Sequence, residues 1–208
     1  MSVAVPGATV ASEDIAASPE FRHLSSIAGI EVDLRYAGAN NFVGRDLYSP
    51  YDCAWLHRDA AAALEQVVAW LAEHAPGHTA LVLDALRPQR VQQQLWDALA
   101  GTGLQMYLAD PARGSIHSYG MALDITLLDP QGRELDMGTG FDDMTDLSHP
   151  ALEEGFLAAG KLSEAQVTNR RLLRAAMFQA GFLGIRTEWW HFDCGDRDLV
   201  RSTFRRVL

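Results

Sequence analysis

Cysteine is scarce in this sequence: 208 residues contain only Cys53 and Cys194. Two thiols cannot build a disulfide framework. They read as separate, half-buried free cysteines, with one long-range bridge as the alternative. Basic charge is also in short supply. Seventeen Lys and Arg stand against 27 Asp and Glu, a formal net charge of −10. Such a chain is a poor candidate for binding nucleic acid by counterion release. A local arginine can still serve a small acidic or zwitterionic ligand. No stretch approaches the roughly 20 consecutive apolar residues of a membrane helix. The first 21 residues lack a basic region followed by a continuous apolar one, so they do not read as a signal peptide. The expectation is a soluble, cytoplasmic protein with no membrane partner. Internal repeats and low-complexity tracts are missing too.

What is present suits a globular domain. Hydrophobic residues make up 48% and charged residues 21%, an ordinary balance for a soluble fold. A chain of this length can bury about 70% of its unfolded surface, so it needs no covalent or metal staple to fold. Residues 1–20 are small and polar and read as a flexible N-terminal arm, with a single domain over 21–208. Alternation over 30–36 predicts a strand, and the Asn-, Gly- and Pro-rich segment 37–52 a long ordered loop. Ala61, Leu64, Val67, Val68 and Leu71 fall on one face of a helix over 58–74, stopped by Pro76 and Gly77. The apolar runs 79–84 and 121–128 read as buried strands. The second continues through a turn at 129–132 into a hairpin return at 133–137. Helices are expected over 89–100, over 163–180 with Ser163 and Gln166 as a capping box, and in the tail from Asp196. Residues 185–194 hold a last strand or strand pair. Strands and helices do not alternate regularly, which favours an α+β fold with a central, mainly antiparallel sheet flanked by helices.

Two segments offer chemistry. His117 and Asp124 lie seven positions apart, with Gly120 between them to let the chain turn. Glu188 stands three residues before His191. Two imidazoles and one carboxylate leave a fourth position of tetrahedral zinc open to water, which marks a catalytic rather than a structural site. A further carboxylate is what hydrolysis requires, to take a proton from water and hand it to the leaving amine. Either pair alone is common by chance. Asp124 is more telling, because it interrupts the apolar run ALDITLL, and a buried carboxylate is costly unless paired or metal-bound. The plain alternative is an Asp on the solvent face of a strand. Arg87 ends an apolar strand before a proline. It can point into a cleft and meet an oxyanion or carboxylate, or simply pair on the surface. His23, His57, His74, His78 and His149 show no such grouping and read as surface or helix-capping residues. Trp189 and Trp190 read as core or cleft-wall aromatics.

The segment Ser115-x-His117-x-x-Gly120-x-Ala122-x-Asp124, followed by Glu188-x-x-His191, resembles the zinc D-alanyl-D-alanine dipeptidases of the VanX type, within the wider group of Hedgehog-like D,D-peptidases. Asp33-Leu34-Arg35-Tyr36-Ala37 with Asn41-Phe42-Val43-Gly44 is similar to that family's N-terminal block. Asp84-Ala85-Leu86-Arg87-Pro88 is similar to its arginine block, and 136–142 to the stretch between the two metal motifs. Asn169-Arg170 and Gly181-Phe182 resemble the helix that follows. The matches run in order from about residue 30 to 194.

The resemblance implies a zinc ion on His117, Asp124 and His191. It implies Glu188 as general base and then acid, and Arg87 as stabiliser of the tetrahedral intermediate. Ser115 would hold the substrate carboxylate, Asp142 its ammonium, and Tyr36 would line the pocket. The substrate would be a small zwitterionic dipeptide, D-alanyl-D-alanine, depleted in glycopeptide resistance or recycled from the cell wall. A D,D-carboxypeptidase or endopeptidase acting on peptidoglycan stems is the alternative within the same chemistry. A non-catalytic zinc-binding module is the alternative outside it.

Overall fold

The apolar runs 79–84 and 121–128 become the two central strands of a five-stranded sheet in the computed structural model, which describes residues 8–208. The first part of the chain contains β1 (Thr9–Val10), β2 (Phe21–His23), β3 (Ile30–Val32), β4 (Trp55–His57) and helix α1 (Arg58–His74). Next come β5 (Thr79–Asp84), α2 (Gln89–Ala98), β6 (Ala122–Leu128), α3 (Glu153–Ala158) and α4 (Glu164–Gln179). The chain ends with β7 (Phe182–Gly184), β8 (His191–Cys194), α5 (Arg197–Thr203) and β9 (Arg206–Val207). The sheet order is β3-β5-β6-β8-β7. Only the β3–β5 pair is parallel, so the expected α+β domain with a mainly antiparallel sheet is what forms.

Helix α1 forms because its apolar residues recur at helical spacing and His57 caps its start, its Nδ1 accepting from the Asp59 amide at 3.2 Å. Leu64, Val67 and Leu71 are buried in the main core with Leu173 and Met177 of α4 and Ile125 and Leu127 of β6. Burial of each such side chain stabilises by about 1.5–3 kcal/mol. Helix α4 carries the expected capping box at Ser163 and Gln166. Both cysteines are free, Cys53 buried and Cys194 partly so.

Several elements differ from the sequence reading. Residues 1–7 of the expected arm lie outside the described residues, but 8–20 are not loose. Strand β1 pairs in parallel with β9, and Val10 and Ile15 are buried beside Phe21, Leu86 and Val207. The small, polar composition of the segment concealed these two apolar anchors. The hairpin return at 133–137 reduces to one bridge, Leu128 to Glu134. There the Asp129 carboxylate accepts the Gln131 and Arg133 amides and closes the turn locally. The strand at 30–36 stops at Val32, and Arg35–Ala37 is a single 3-10 turn. Of the expected pair at 185–194, β7 starts earlier, directly after Gly181. The β2–β4 pair and α3 were not anticipated, being too short to show a period.

One buried cation organises the loop between β6 and α4. Arg170, wholly buried on α4, donates from Nε to the Met137 carbonyl at 2.6 Å and from Nη2 to the Leu147 carbonyl at 3.0 Å. Glu153 neutralises it, with Nη1 to Oε1 at 3.4 Å. Arg170 therefore ties both ends of the segment that contains Asp142. Replacing Arg170 with Ala is expected to lower unfolding free energy by about 2–4 kcal/mol, because the Met137 and Leu147 carbonyls lose their buried donor while Glu153 keeps Arg174 at 2.7 Å. Urea unfolding measures this, and hydrogen exchange should rise first across 137–148; a loss below about 1 kcal/mol would contradict it.

Candidate active site

The register of the sheet places three ionisable side chains in one row. Asp84 on β5 faces Asp124 on β6, and Asp124 faces His191 on β8. His117 reaches the same point from the 3-10 turn Ile116–Tyr119 just before β6. Gly120 closes that turn at φ 64°, and a Cβ there would lie 2.6 Å from the His57 backbone nitrogen. Only glycine meets both conditions. As a result His117 Nε2, Asp124 Oδ1 and His191 Nδ1 all lie within 4.8 Å of one another. The two ring nitrogens are 3.1 Å apart, and Asp124 Oδ1 is 3.3 Å from the first and 3.0 Å from the second.

Each of these groups is held from behind. His117 Nδ1 donates to the Ala85 carbonyl at 2.8 Å, which leaves Nε2 as the lone-pair atom. His191 Nε2 donates to Asp193 Oδ1 at 3.0 Å, which frees Nδ1 in the same way. Asp193 is in turn bound by Arg197 at 2.5 Å. The outer oxygen of Asp124 accepts from Arg87 Nη2 at 3.0 Å. Three electron-rich atoms aimed at one point repel each other unless a cation sits among them. Burial disfavours a charged His191, yet Asp193 and Asp124 hold its pKa well above the usual value. Burial likewise opposes an ionised Asp124, but His117 and His191 hold its carboxyl well below the ordinary range. The site thus favours positive charge. Its two nitrogens and one oxygen suit zinc, with distal partners of the kind that orient metal ligands.

Arg87 is buried rather than paired on the surface. Its Nε donates to Asp84 Oδ2 at 2.7 Å, Nη1 to Gln92 at 3.2 Å, and its guanidinium lies 5.1 Å from the Tyr36 ring centre. Burial works against its charge, but Asp84, Tyr36 and Asp124 outweigh burial and raise its pKa well above the usual value. Asp84, wholly buried, also accepts from Tyr48 Oη.

The remaining candidates surround the same space. All eight sequence candidates (Tyr36, Arg87, Ser115, His117, Asp124, Asp142, Glu188 and His191) line one cavity of about 740 Å³. Burial pushes the Glu188 carboxyl up to about 7, with Asp124 adding to the shift and His191 opposing it. Asp142 sits at φ 61°, a left-handed conformation unusual for a residue other than glycine. Both its oxygens accept from Tyr36 Oη, at 3.0 and 2.9 Å. Burial, reinforced by Asp124, holds the Asp142 carboxyl well above the ordinary range. Such a carboxylate calls for a cationic partner. Ser115 is buried with a hydroxyl that forms no hydrogen bond among the described residues, and Trp190 forms part of the cavity wall.

The D-Ala-D-Ala dipeptidase family of M15 peptidases matches residues 19–207. The chain belongs to this family. The D-alanyl-D-alanine dipeptidase of Escherichia coli K12 is 39% identical over 164 residues, covering 79% of this chain and 78% of that one. The Synechocystis enzyme of the same name is 34% identical, covering 64% and 66%. The Enterococcus faecalis one is 29% identical, covering 85% and 91%. The LdcB LD-carboxypeptidase structure overlaps 88% of this chain and 72% of its own at a TM-score of 0.47 and 13% identity. That is too distant to bear on the reaction. Among the described residues no helix is long and apolar enough to cross a membrane.

Within this M15 peptidase, two groups behind the site escaped the sequence reading. Asp193 stands two residues after His191 on a strand, so both point to one side; that spacing was the available signal. Asp84 closes an otherwise apolar strand, as Asp124 interrupts one. His149, read as a helix-start residue, stands just before the 3-10 turn at Pro150–Leu152 without a side-chain capping bond, and its Nε2 is 2.9 Å from Tyr107 Oη. His57 and His23 are caps, as expected.

Two predictions arise from this geometry. Asp193→Ala should weaken metal affinity by about 10–100-fold, because His191 loses the group that fixes its tautomer. Chelator competition reads this directly, and unchanged affinity would refute the role. The second concerns pH. A carboxyl whose folded pKa is raised stabilises the fold only while protonated. Glu188 therefore costs the metal-free protein stability as pH rises from about 4.5 through about 7. Metal-free Glu188→Gln should match wild type at pH 4 and exceed it at pH 8. The gap is at most about 3 kcal/mol, less where solvent at the cavity mouth screens the charge. A gap that does not widen with pH would sink this assignment.

Proposed function

We propose that this M15 peptidase is a zinc-dependent dipeptidase that cleaves D-alanyl-D-alanine into two D-alanines. The observation that carries the reading is the shared cavity. It brings the His117, Asp124 and His191 donors together with a poorly compensated carboxylate, Asp142, and the unbonded Ser115 hydroxyl. The names of the relatives support the substrate.

A zinc ion held by His117, Asp124 and His191 would supply Lewis-acid polarisation of the scissile carbonyl and of a water. The rest falls to the chain's own side chains. Asp142 takes the substrate ammonium, with Tyr36 fixing its carboxylate. Ser115 donates to the substrate carboxylate. Glu188 accepts a proton from the attacking water as its oxygen bonds to the carbonyl carbon. The carbonyl oxygen gains negative charge, and the Arg87 guanidinium stabilises it. The peptide C–N bond then breaks, and Glu188 passes its proton to the leaving nitrogen. A carboxyl raised to about 7 is matched to both halves of that task near neutral pH.

Turnover of D-Ala-D-Ala, L-Ala-L-Ala and a D-Ala-D-Ala-terminated pentapeptide, each with and without chelator, tests the substrate. Chelator-sensitive cleavage of the D,D-dipeptide alone is expected. Cleavage of the pentapeptide instead would place the protein among the D,D-carboxypeptidases, and silence on all three with metal bound would favour a binding module. Glu188→Gln should retain metal and lose at least about a thousandfold in kcat, in keeping with removal of general acid–base catalysis. Turnover near the wild-type rate would remove Glu188 from the mechanism.

A further inference from the structure

The cavity extends beyond the eight residues already described. Arg113, Arg197 and Arg201 line it together with Ser115. Arg201, on α5, is the most enclosed of the three, its side chain 15% exposed. Its Nε donates to the Gly114 carbonyl at 3.1 Å, which sets the guanidinium against the residue next to Ser115.

The charges here do not balance. Arg197 is fully paired with Asp193. Arg113 and Arg201 share a single oxygen, Asp198 Oδ1, at 3.2 and 3.4 Å. Asp198 is 82% exposed, so solvent screens what it offers. Asp196 also lines the cavity, but it caps α5 through the Asp198 and Leu199 amides and pairs with neither guanidinium. Arg113 and Arg201 are left to share one screened carboxylate, and Arg201 Nη2 has no hydrogen-bond partner among the described residues. Burial, with Arg113 and Arg197 beside it, lowers the Arg201 pKa, as crowding by like charge should. Asp142, which lines the same cavity, has the reverse imbalance: its carboxyl accepts only from the neutral Tyr36 hydroxyl among the described side chains. A molecule with an ammonium at one end and a carboxylate at the other matches both.

We infer that Arg201 is a specificity-determining residue that receives the free C-terminal carboxylate of the substrate beside Ser115, with Asp198 as the internal anion it competes against. This rests on the dipeptidase reading for the identity of the ligand. Guanidinium–carboxylate pairing in a covered site is strong and directional. An internal competitor weakens it without abolishing it.

The experiment compares D-Ala-D-Ala with D-Ala-D-alaninamide, which lacks the carboxylate charge. Arg201→Met should raise KM for the dipeptide at least tenfold with a smaller effect on kcat, and the loss on the amide should be several-fold less. Equal losses on both substrates would overturn the inference. Asp198→Asn gives the opposite sign: KM for the dipeptide should fall about threefold, with the amide little changed. Because Asp198 is exposed, this variant folds even if Arg201→Met does not, and an unchanged or raised KM would overturn the inference by itself. If metal-loaded wild type cleaves neither compound, the dipeptidase reading fails separately. Titration calorimetry of both compounds against wild type and Asp198→Asn then decides. Preference for the carboxylate that strengthens in Asp198→Asn supports Arg201, and no preference refutes it.

Discussion

A carboxylate buried in the middle of an apolar strand has to be compensated, and much of this structure follows from Asp124. It lies on a central strand with apolar neighbours on both sides, where an unpaired charge would cost several kcal/mol. Its inner oxygen faces two imidazoles and its outer oxygen faces Arg87. Those partners need anchors of their own. His117 leans on the Ala85 carbonyl, His191 on Asp193, and Arg87 on Asp84. The strands β5, β6 and β8 supply these anchors because their register puts Asp84, Asp124 and His191 side by side. Two of the three candidate metal donors, Asp124 and His191, are therefore set by the register of the sheet, and the third, His117, by the turn that Gly120 closes.

Under the proposed function the loops would carry the selectivity. The segment tied down by Arg170 presents Asp142, and the turn at 114–115 presents Ser115. Asp142 and Arg201 line one cavity as incompletely compensated groups of opposite sign, so each end of a zwitterion would find a partner there.

The sequence was most legible where burial and period agree. Helix α1 and strand β5 occupy the expected ranges, since their apolar spacing and the Pro76-Gly77 stop leave little freedom. The capping box at Ser163 could be read because it uses specific side chains at a fixed offset. The two- and three-residue strands β1, β2, β4 and β9 could not, because a period needs more positions than they have. In the site, Asp124 stood out by interrupting an apolar run, whereas Arg87 remained ambiguous, since its burial depends on Asp84 and Gln92 through tertiary contact. The arginines of α5 gave no local signal. Their imbalance exists only once Arg113, far away in sequence, arrives beside Asp198.

Under the proposed function Arg87 would serve two tasks at once. One nitrogen, Nη2, holds the outer oxygen of Asp124, while the same guanidinium faces the cavity. On that reading, any change that draws Arg87 closer to Asp124 would remove donor capacity from the reacting carbonyl, and any change that releases it would weaken a metal ligand. Affinity for the ion and stabilisation of the reacting oxygen would then be thermodynamically coupled through one side chain. A change at Arg87 would shift both together, so variants selected for tighter metal retention alone should be drawn to the His191 side, where Asp193 and Arg197 can be altered without disturbing Arg87.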